Sequence, residues 1–191
     1  MINLKIIIAS TRPGRKGPIL ANWIYGKAKQ DPAFDTELVD LAEVNLPFFD
    51  EPNHPRLQQY THQHTKDWSA KIASADAFVL VTPEYNYGFP ATIKNAIDYL
   101  FVEWQHKPIG FVSYGGIAGG TRSIQMLKLT LTSLEMVPIT AAVNVPLFTK
   151  YIVDDKFAAT DEQNRNADLL FSELKKWSAV LSRFKEHTVH Q

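Results

Sequence analysis

Apolar residues fall into short unbroken runs, separated by longer stretches in which they recur every three or four positions. LKIIIAS, from Leu4, reads as a buried strand, because its β-branched residues continue without a polar interruption, as they do where helices cover both sheet faces. After the loop TRPGRKG, the segment PILANWIYGKAK carries Pro18 in its first turn and an apolar stripe at Ile19, Leu20, Trp23 and Ile24, which predicts a helix. The cycle then repeats. FDTELVDL predicts a second strand, LPFFDEPNHP a proline-punctuated loop, and HTKDWSAKIASA a helix with Trp68 and Ile72 four apart. DAFVLVTP predicts a third strand, followed by a helix beginning near Pro90 and marked by Ile93, Ala96, Ile97 and Leu100. KPIGFVSYGG and VPITAAVNVP predict the last two strands, with the helix GGTRSIQMLKLTLTSL between them. A closing helix runs from Thr160 to His187, where Phe171, Leu174, Trp177, Leu181 and Phe184 recur at spacings of three and four, and the final HTVHQ is expected to fray. Five strands alternating with five helices predict one α/β domain over residues 1–191, a doubly wound five-stranded parallel sheet with helices on both faces.

Composition narrows the partners. The 191 residues are 45% hydrophobic, enough for the core of one domain, and 20 Lys+Arg balance 20 Asp+Glu. A net charge of zero gives no basis for nucleic-acid or anionic-membrane binding. The absence of cysteine excludes disulfides, thiolate metal sites and cysteine nucleophiles, and fits a reducing compartment. The early apolar run Ile6 to Ala9 is too short for a signal core or a membrane span, so a cytoplasmic protein is expected. His62 and His64, two apart on a predicted helix, would point to different faces, and His54 sits in a proline-bounded loop, so no metal site is expected.

Ligands of open α/β sheets bind beyond the carboxyl ends of the strands, where the winding reverses, which singles out three loops. ASTRPGRKGP places Ser10, Thr11, Arg12, Gly14 and Gly17 between a strand and a helix N-terminus, where free N–H groups and the helix dipole favour a phosphate. A nucleotide P-loop is excluded, because the spacing GxxxxGK followed by Ser or Thr is not met. In TPEYNYGFPATIKNAIDYL, the stretch Pro83, Glu84, Tyr85, Asn86 and Tyr87 forms an exposed turn. Its backbone edge and tyrosine rings suit a planar heteroaromatic, while Lys94 and Asp98 read as a surface pair. SYGGIAGGTRS, starting at Ser113, Tyr114, Gly115 and Gly116, has four glycines that permit close backbone approach and reads as the second wall of a flavin pocket. It fails the GxGxxG pattern, which disfavours a Rossmann dinucleotide site and leaves Asp40 a loop residue.

Together the three loops resemble those of the NAD(P)H-dependent FMN reductase family, flavodoxin-like enzymes that include quinone, azo-dye and chromate reductases. The resemblance spans Lys5 to Val145 and is most specific at Pro83 to Asn86, Gly88, Phe89, Pro90 and Lys94 to Asp98. It implies a flavodoxin-like fold and tightly bound FMN. The phosphate would lie near Ser10, Arg12, Gly17, Pro18 and Ile19, the isoalloxazine edge on Pro83 to Tyr87, and its pyrimidine side under Ser113 to Gly116. Gly17 and Gly88 stand where serine is common in the family. The resemblance also implies hydride transfer from NADPH or NADH through the flavin to a quinone, azo compound, free flavin or similar small-molecule acceptor, with no catalytic side chain. A homodimer or homotetramer is implied, with Tyr99, Phe101, Val102 and Trp104 suited to the interface. Arg15 or Lys16 would reach the phosphates of the nicotinamide nucleotide. The rival readings are a flavodoxin-like electron carrier and a flavin-binding redox regulator. The carrier is disfavoured by the absence of a TxTxxT loop and of strong negative charge.

Overall fold

The computed structural model describes residues 1–188. The five expected strands are present as β1 (Ile2–Ile8), β2 (Phe34–Asp40), β3 (Ala77–Pro83), β4 (Pro108–Gly115) and β5 (Val137–Pro146), all parallel in the order β2-β1-β3-β4-β5. Helices α1 (Gly17–Ala28) and α6 (Asp161–Thr188) cover one face. Helices α3 (Gln63–Ala73), α4 (Ala91–Asp98) and α5 (Thr121–Ser133) cover the other. The period-two geometry of a strand divides each apolar run between these layers: Leu4, Ile6 and Ile8 face α1 and α6, whereas Ile7 and Ala9 face α3 to α5. Lys5, on the second face, reaches the rim, where Glu37 accepts from both Lys5 and Lys71.

Two small elements were not expected. Asp40 ends β2 and immediately N-caps a one-turn helix α2 (Leu41–Val44), its carboxylate accepting from the Ala42 N–H at 2.9 Å. A hairpin of β6 (Ile152–Val153) and β7 (Lys156–Phe157) turns through Asp154 and Asp155, both at positive φ, and sets Phe157 edge-on against Trp23 of α1.

The closing helix differs from expectation in its buried face. Phe171, Leu174 and Leu181 are buried together with Ala167 and Leu170, but Trp177 and Phe184 are exposed. Of HTVHQ, His187 and Thr188 continue the helix, and residues 189–191 lie outside the described residues. Tyr99 and Trp104 are also fully buried within the chain, so they cannot serve as interface residues, whereas Val102 is exposed. Trp68 donates to the Ala96 carbonyl at 2.8 Å and Tyr99 to Asp50 at 2.9 Å, which accounts for their polar ends in the core. Among the described residues, no helix is long and apolar enough to cross a membrane.

Candidate functional site

The winding reverses between β1 and β3, so the crevice above their carboxyl ends, extended by β4, is where the three loops converge. In the loop from Ala9 to Lys16, Ser10 is buried and its hydroxyl lies 2.6 Å from that of Tyr85. Gly14 takes a positive φ of 69°, with open space where a side chain would stand. The N-cap of α1, Lys16, makes no side-chain capping bond, and Pro18 occupies the first turn, where its missing N–H costs nothing. Among the described residues, the N–H groups of Thr11, Arg12, Lys16 and Gly17 have no acceptor, and Arg12 is exposed beside them. Free amides at a helix N-terminus with a guanidinium at hand are the donor set a phosphate monoester requires, so the loop fits that group.

Arg15 is committed elsewhere. Its guanidinium pairs with both oxygens of Asp40 at 2.5 Å and donates to the Ser10 carbonyl at 2.7 Å. The hydrogen bond to Asp40 is the main reason that the Arg15 pKa is raised, against the opposing effect of burial. Arg15 therefore braces the loop and does not reach outward for a nicotinamide nucleotide. Asp40 is its anchor as well as the cap of α2, a role that its place at a strand end did not reveal. Lys16 faces Asp155 at 3.5 Å across an exposed pair.

The second loop is a tight hairpin turn. Tyr85 and Gly88 exchange two backbone hydrogen bonds of 2.9 Å, with Asn86 and Tyr87 between them at φ of 49° and 69°. Positive φ at both central residues is the geometry of a type I′ turn, which suits asparagine and strains tyrosine. It leaves the N–H groups of Asn86 and Tyr87 without acceptors among the described residues. The two tyrosine side chains make separate contacts within the chain. Tyr87 lies under Arg122, 4.0 Å from its guanidinium carbon, and Tyr85 reaches back to Ser10. The Glu84 carboxylate is held by Arg122, which donates from Nε at 2.6 Å, and the Glu84 N–H continues the sheet to the Tyr114 carbonyl. Pro83 ends β3 and pairs with Tyr114 in register. Of the polar groups of Glu84, only the backbone carbonyl is left for a ligand among the described residues.

The third loop separates the roles of its glycines. A Cβ on Gly120 would fall 2.7 Å from that of Ser113, and one on Gly119 2.9 Å from the Pro146 nitrogen, so their positive φ serves loop packing. Gly115 packs against Gly120, while Gly116 has open space at its Cα. The Ser113 hydroxyl braces the loop, donating to the Gly119 carbonyl at 2.7 Å and contacting the Asn144 side chain at 2.8 Å. Tyr114 points to the opposite face, toward α1. Burial foremost, and then the neighbouring Tyr85, raise its pKa, which keeps the phenol protonated.

A cleft of about 290 Å³, lined by Thr11, Ala42, Asn45 and Asn95 among others, opens beside the first loop. The histidines also differ from expectation. His62 is the extended N-cap of α3, so its ring stacks on that of His64 with centroids 5.1 Å apart, and His64 contacts Asp50 at 3.0 Å. Lys94 and Asp98 form the expected surface pair.

The strand order and the donor-lined crevice at the switch point define a flavodoxin-like α/β protein. A family model described as NADPH-dependent FMN reductase matches residues 2–150. An NAD(P)H-dependent FMN reductase of Schizosaccharomyces pombe is 42% identical over 144 residues, covering 74% of this chain and 72% of that protein. An FMN-dependent NADPH-azoreductase of Staphylococcus saprophyticus is 26% identical over 172 residues, covering 88% and 91%. The solved structure of FerB, a flavoenzyme NAD(P)H:(acceptor) oxidoreductase from Paracoccus denitrificans, superposes with a TM-score of 0.69 at 19% identity, covering 96% of this chain and 98% of that one. The chain belongs to the NADPH-dependent FMN reductase family, and is thus an oxidoreductase that works with FMN and a nicotinamide dinucleotide.

Proposed function

We propose that the crevice between the three loops holds FMN and that the protein passes reducing equivalents from NADPH or NADH to a quinone, azo compound, free flavin or similar small acceptor. The observation that carries this reading is the set of free amides at the α1 N-terminus, placed at the switch point of the sheet. Thr11, Arg12, Lys16 and Gly17 would hold the phosphate, with Pro18 and Ile19 starting the helix whose dipole favours it. The amides of Asn86 and Tyr87, the Glu84 carbonyl and the open backbone at Gly116 would meet the polar edge of the ring. When bound, the flavin supplies the hydride chemistry, and the chain supplies orientation and electrostatics. Amides aimed at the ring edge stabilise negative charge as it develops there, without reorganising. The azoreductase relative supports the acceptor class. A homodimer or homotetramer in the cytoplasm completes the reading, with exposed Val102 in the turn beyond α4 and Met126 and Leu129 on α5 supporting an interface on that side.

The test is a visible spectrum of the purified protein after incubation with FMN and passage through a desalting column, recorded anaerobically before and after NADPH and then NADH. Retained flavin that bleaches within seconds is the expected result. Retained flavin that stays oxidised would favour an electron carrier or a redox regulator, and no retained flavin would refute the site.

A further inference from the structure

Ser10 and Gly17, at the two ends of the loop between β1 and α1, meet Tyr114 of β4 beneath that loop. A Cβ built on Gly17 would stand 2.9 Å from the Tyr114 hydroxyl oxygen but 3.8 Å from the ring carbon that bears it. The room that a side chain at position 17 would need is therefore taken first by that hydroxyl, with the Ile8 Cγ2 methyl next at 3.2 Å. The Tyr114 ring is fixed, with 4% of its surface exposed and Phe148 packed edge-on at 5.0 Å.

A buried phenol ordinarily finds a hydrogen-bond partner. The polar side chain acting on Tyr114 through a hydrogen bond is Ser10, whose oxygen is already engaged by Tyr85 at 2.6 Å. The Ser10–Tyr85 pair uses one proton between its two oxygens, and among the described residues no acceptor takes the proton of the Tyr114 hydroxyl, which therefore needs one from outside the chain. The surroundings set the sign of that acceptor. Arg12 and Arg15 both act on Tyr114 electrostatically, and the unpaired amides of Lys16 and Gly17 lie at the same helix end.

We propose that Tyr114 is a phosphate-binding residue, its hydroxyl passing through the gap left by Gly17 to donate to the 5′-phosphate of FMN at the N-terminus of α1. This rests on the proposed FMN site and moves Tyr114 from the pyrimidine side of the ring to the opposite end of the cofactor. It also gives the glycine at position 17 a purpose: the donor that a hydroxyl-bearing side chain would supply there arrives instead from β4.

The experiment is a fluorescence titration of flavin-stripped protein with FMN and with riboflavin, which shares the ring and ribityl chain but lacks the phosphate. For Tyr114→Phe, the FMN dissociation constant should rise about tenfold or more, the range of a hydrogen bond to a charged group, while that of riboflavin stays unchanged. Adding Gly17→Ser to Tyr114→Phe should restore much of the FMN affinity, because the new Cβ then faces the ring carbon at 3.8 Å, needs the Ile8 methyl at 3.2 Å to give by only a few tenths of an ångström, and brings its own hydroxyl. If Tyr114→Phe does not fold, Gly17→Ala in the native background, whose methyl displaces the phenol oxygen, should give the same phosphate-selective loss. Equal weakening of both flavins, or no weakening of either, would overturn the proposal while leaving the FMN site intact. Wild-type protein that binds neither flavin would overturn the FMN reading and this inference with it.

Discussion

Replacing Asp40 with alanine tests whether the first ligand loop is braced from below. The carboxylate makes a two-pronged pair with Arg15, whose side chain is 18% exposed against 11% for Asp40, and caps α2 through Ala42. Breaking a buried ion pair costs about 3–5 kcal/mol, mostly because the surviving charge is stranded. Arg15 keeps the Ser10 carbonyl and some contact with water, which places the pair near the bottom of that range. Loss of the cap adds about 1 kcal/mol. A total of ~3–4 kcal/mol converts to a fall in Tm of roughly 6–16 °C for a chain of this size. Differential scanning calorimetry would measure it alongside Arg15→Ala and the double variant. Removing both partners eliminates the stranded charge, so the double variant should be more stable than Asp40→Ala. A fall below about 3 °C for Asp40→Ala, or additive effects in the cycle, would refute the brace.

Three further outcomes follow from the geometry. Gly120→Ala should lower stability by about 2 kcal/mol or more in denaturant unfolding, because φ is 84° and the new methyl would meet Ser113 at 2.7 Å; an unchanged midpoint would disprove the close packing. Burial opposes the ionisation of Glu37, yet hydrogen bonds from Lys5 and Lys71 hold its pKa below the ordinary 4.5. Its contribution is therefore present above that value and lost as pH falls through the lower folded value. Glu37→Gln should thus show a shallower decline in Tm between about pH 6 and pH 3 than the wild type, and parallel curves would remove Glu37 from acid stability. Lys94→Ala should change stability by less than about 0.5 kcal/mol, as an exposed helix pair, and a loss above 1 kcal/mol by urea titration would show that Lys94 has another partner.

The central strands β1, β3 and β4 were legible because strands buried on both faces are apolar nearly throughout, the half-buried edge strands β2 and β5 followed from their alternation with helices, and all five runs became strands within a few residues of their expected ends. The last helix was harder to read. Over 28 residues, spacings of three and four fit two adjacent stripes, one through Leu170, Leu174 and Leu181 and another through Leu169, Trp177, Val180 and Phe184, and the sheet covers only the first. The positions of the ligand loops were readable from the switch-point rule and their glycines, but the duties of their side chains were not. Arg15 meets Asp40 25 positions away, Arg122 meets Glu84 at a separation of 38, and Gly17 after β1 meets Tyr114 of β4 across the intervening β3, so no local spacing encodes them. His62 misled because the helical rule was applied to a residue whose φ and ψ are those of a strand. The hairpin at β6 and β7 did carry a signal, the aspartate pair between Val153 and Lys156.

The two cores have different birth dates. The layer under α3, α4 and α5 is supplied by residues between Ile7 and Met136 and can close before the chain is complete. The layer that holds α1 against β1 includes Phe157, Ala167, Leu170, Phe171 and Leu174, which leave the ribosome after all of the first. A growing chain must therefore carry an uncovered sheet face, including Ile6, Val79 and Val143, until α6 emerges. That interval is when aggregation competes most strongly and when a chaperone would have the most apolar surface to hold.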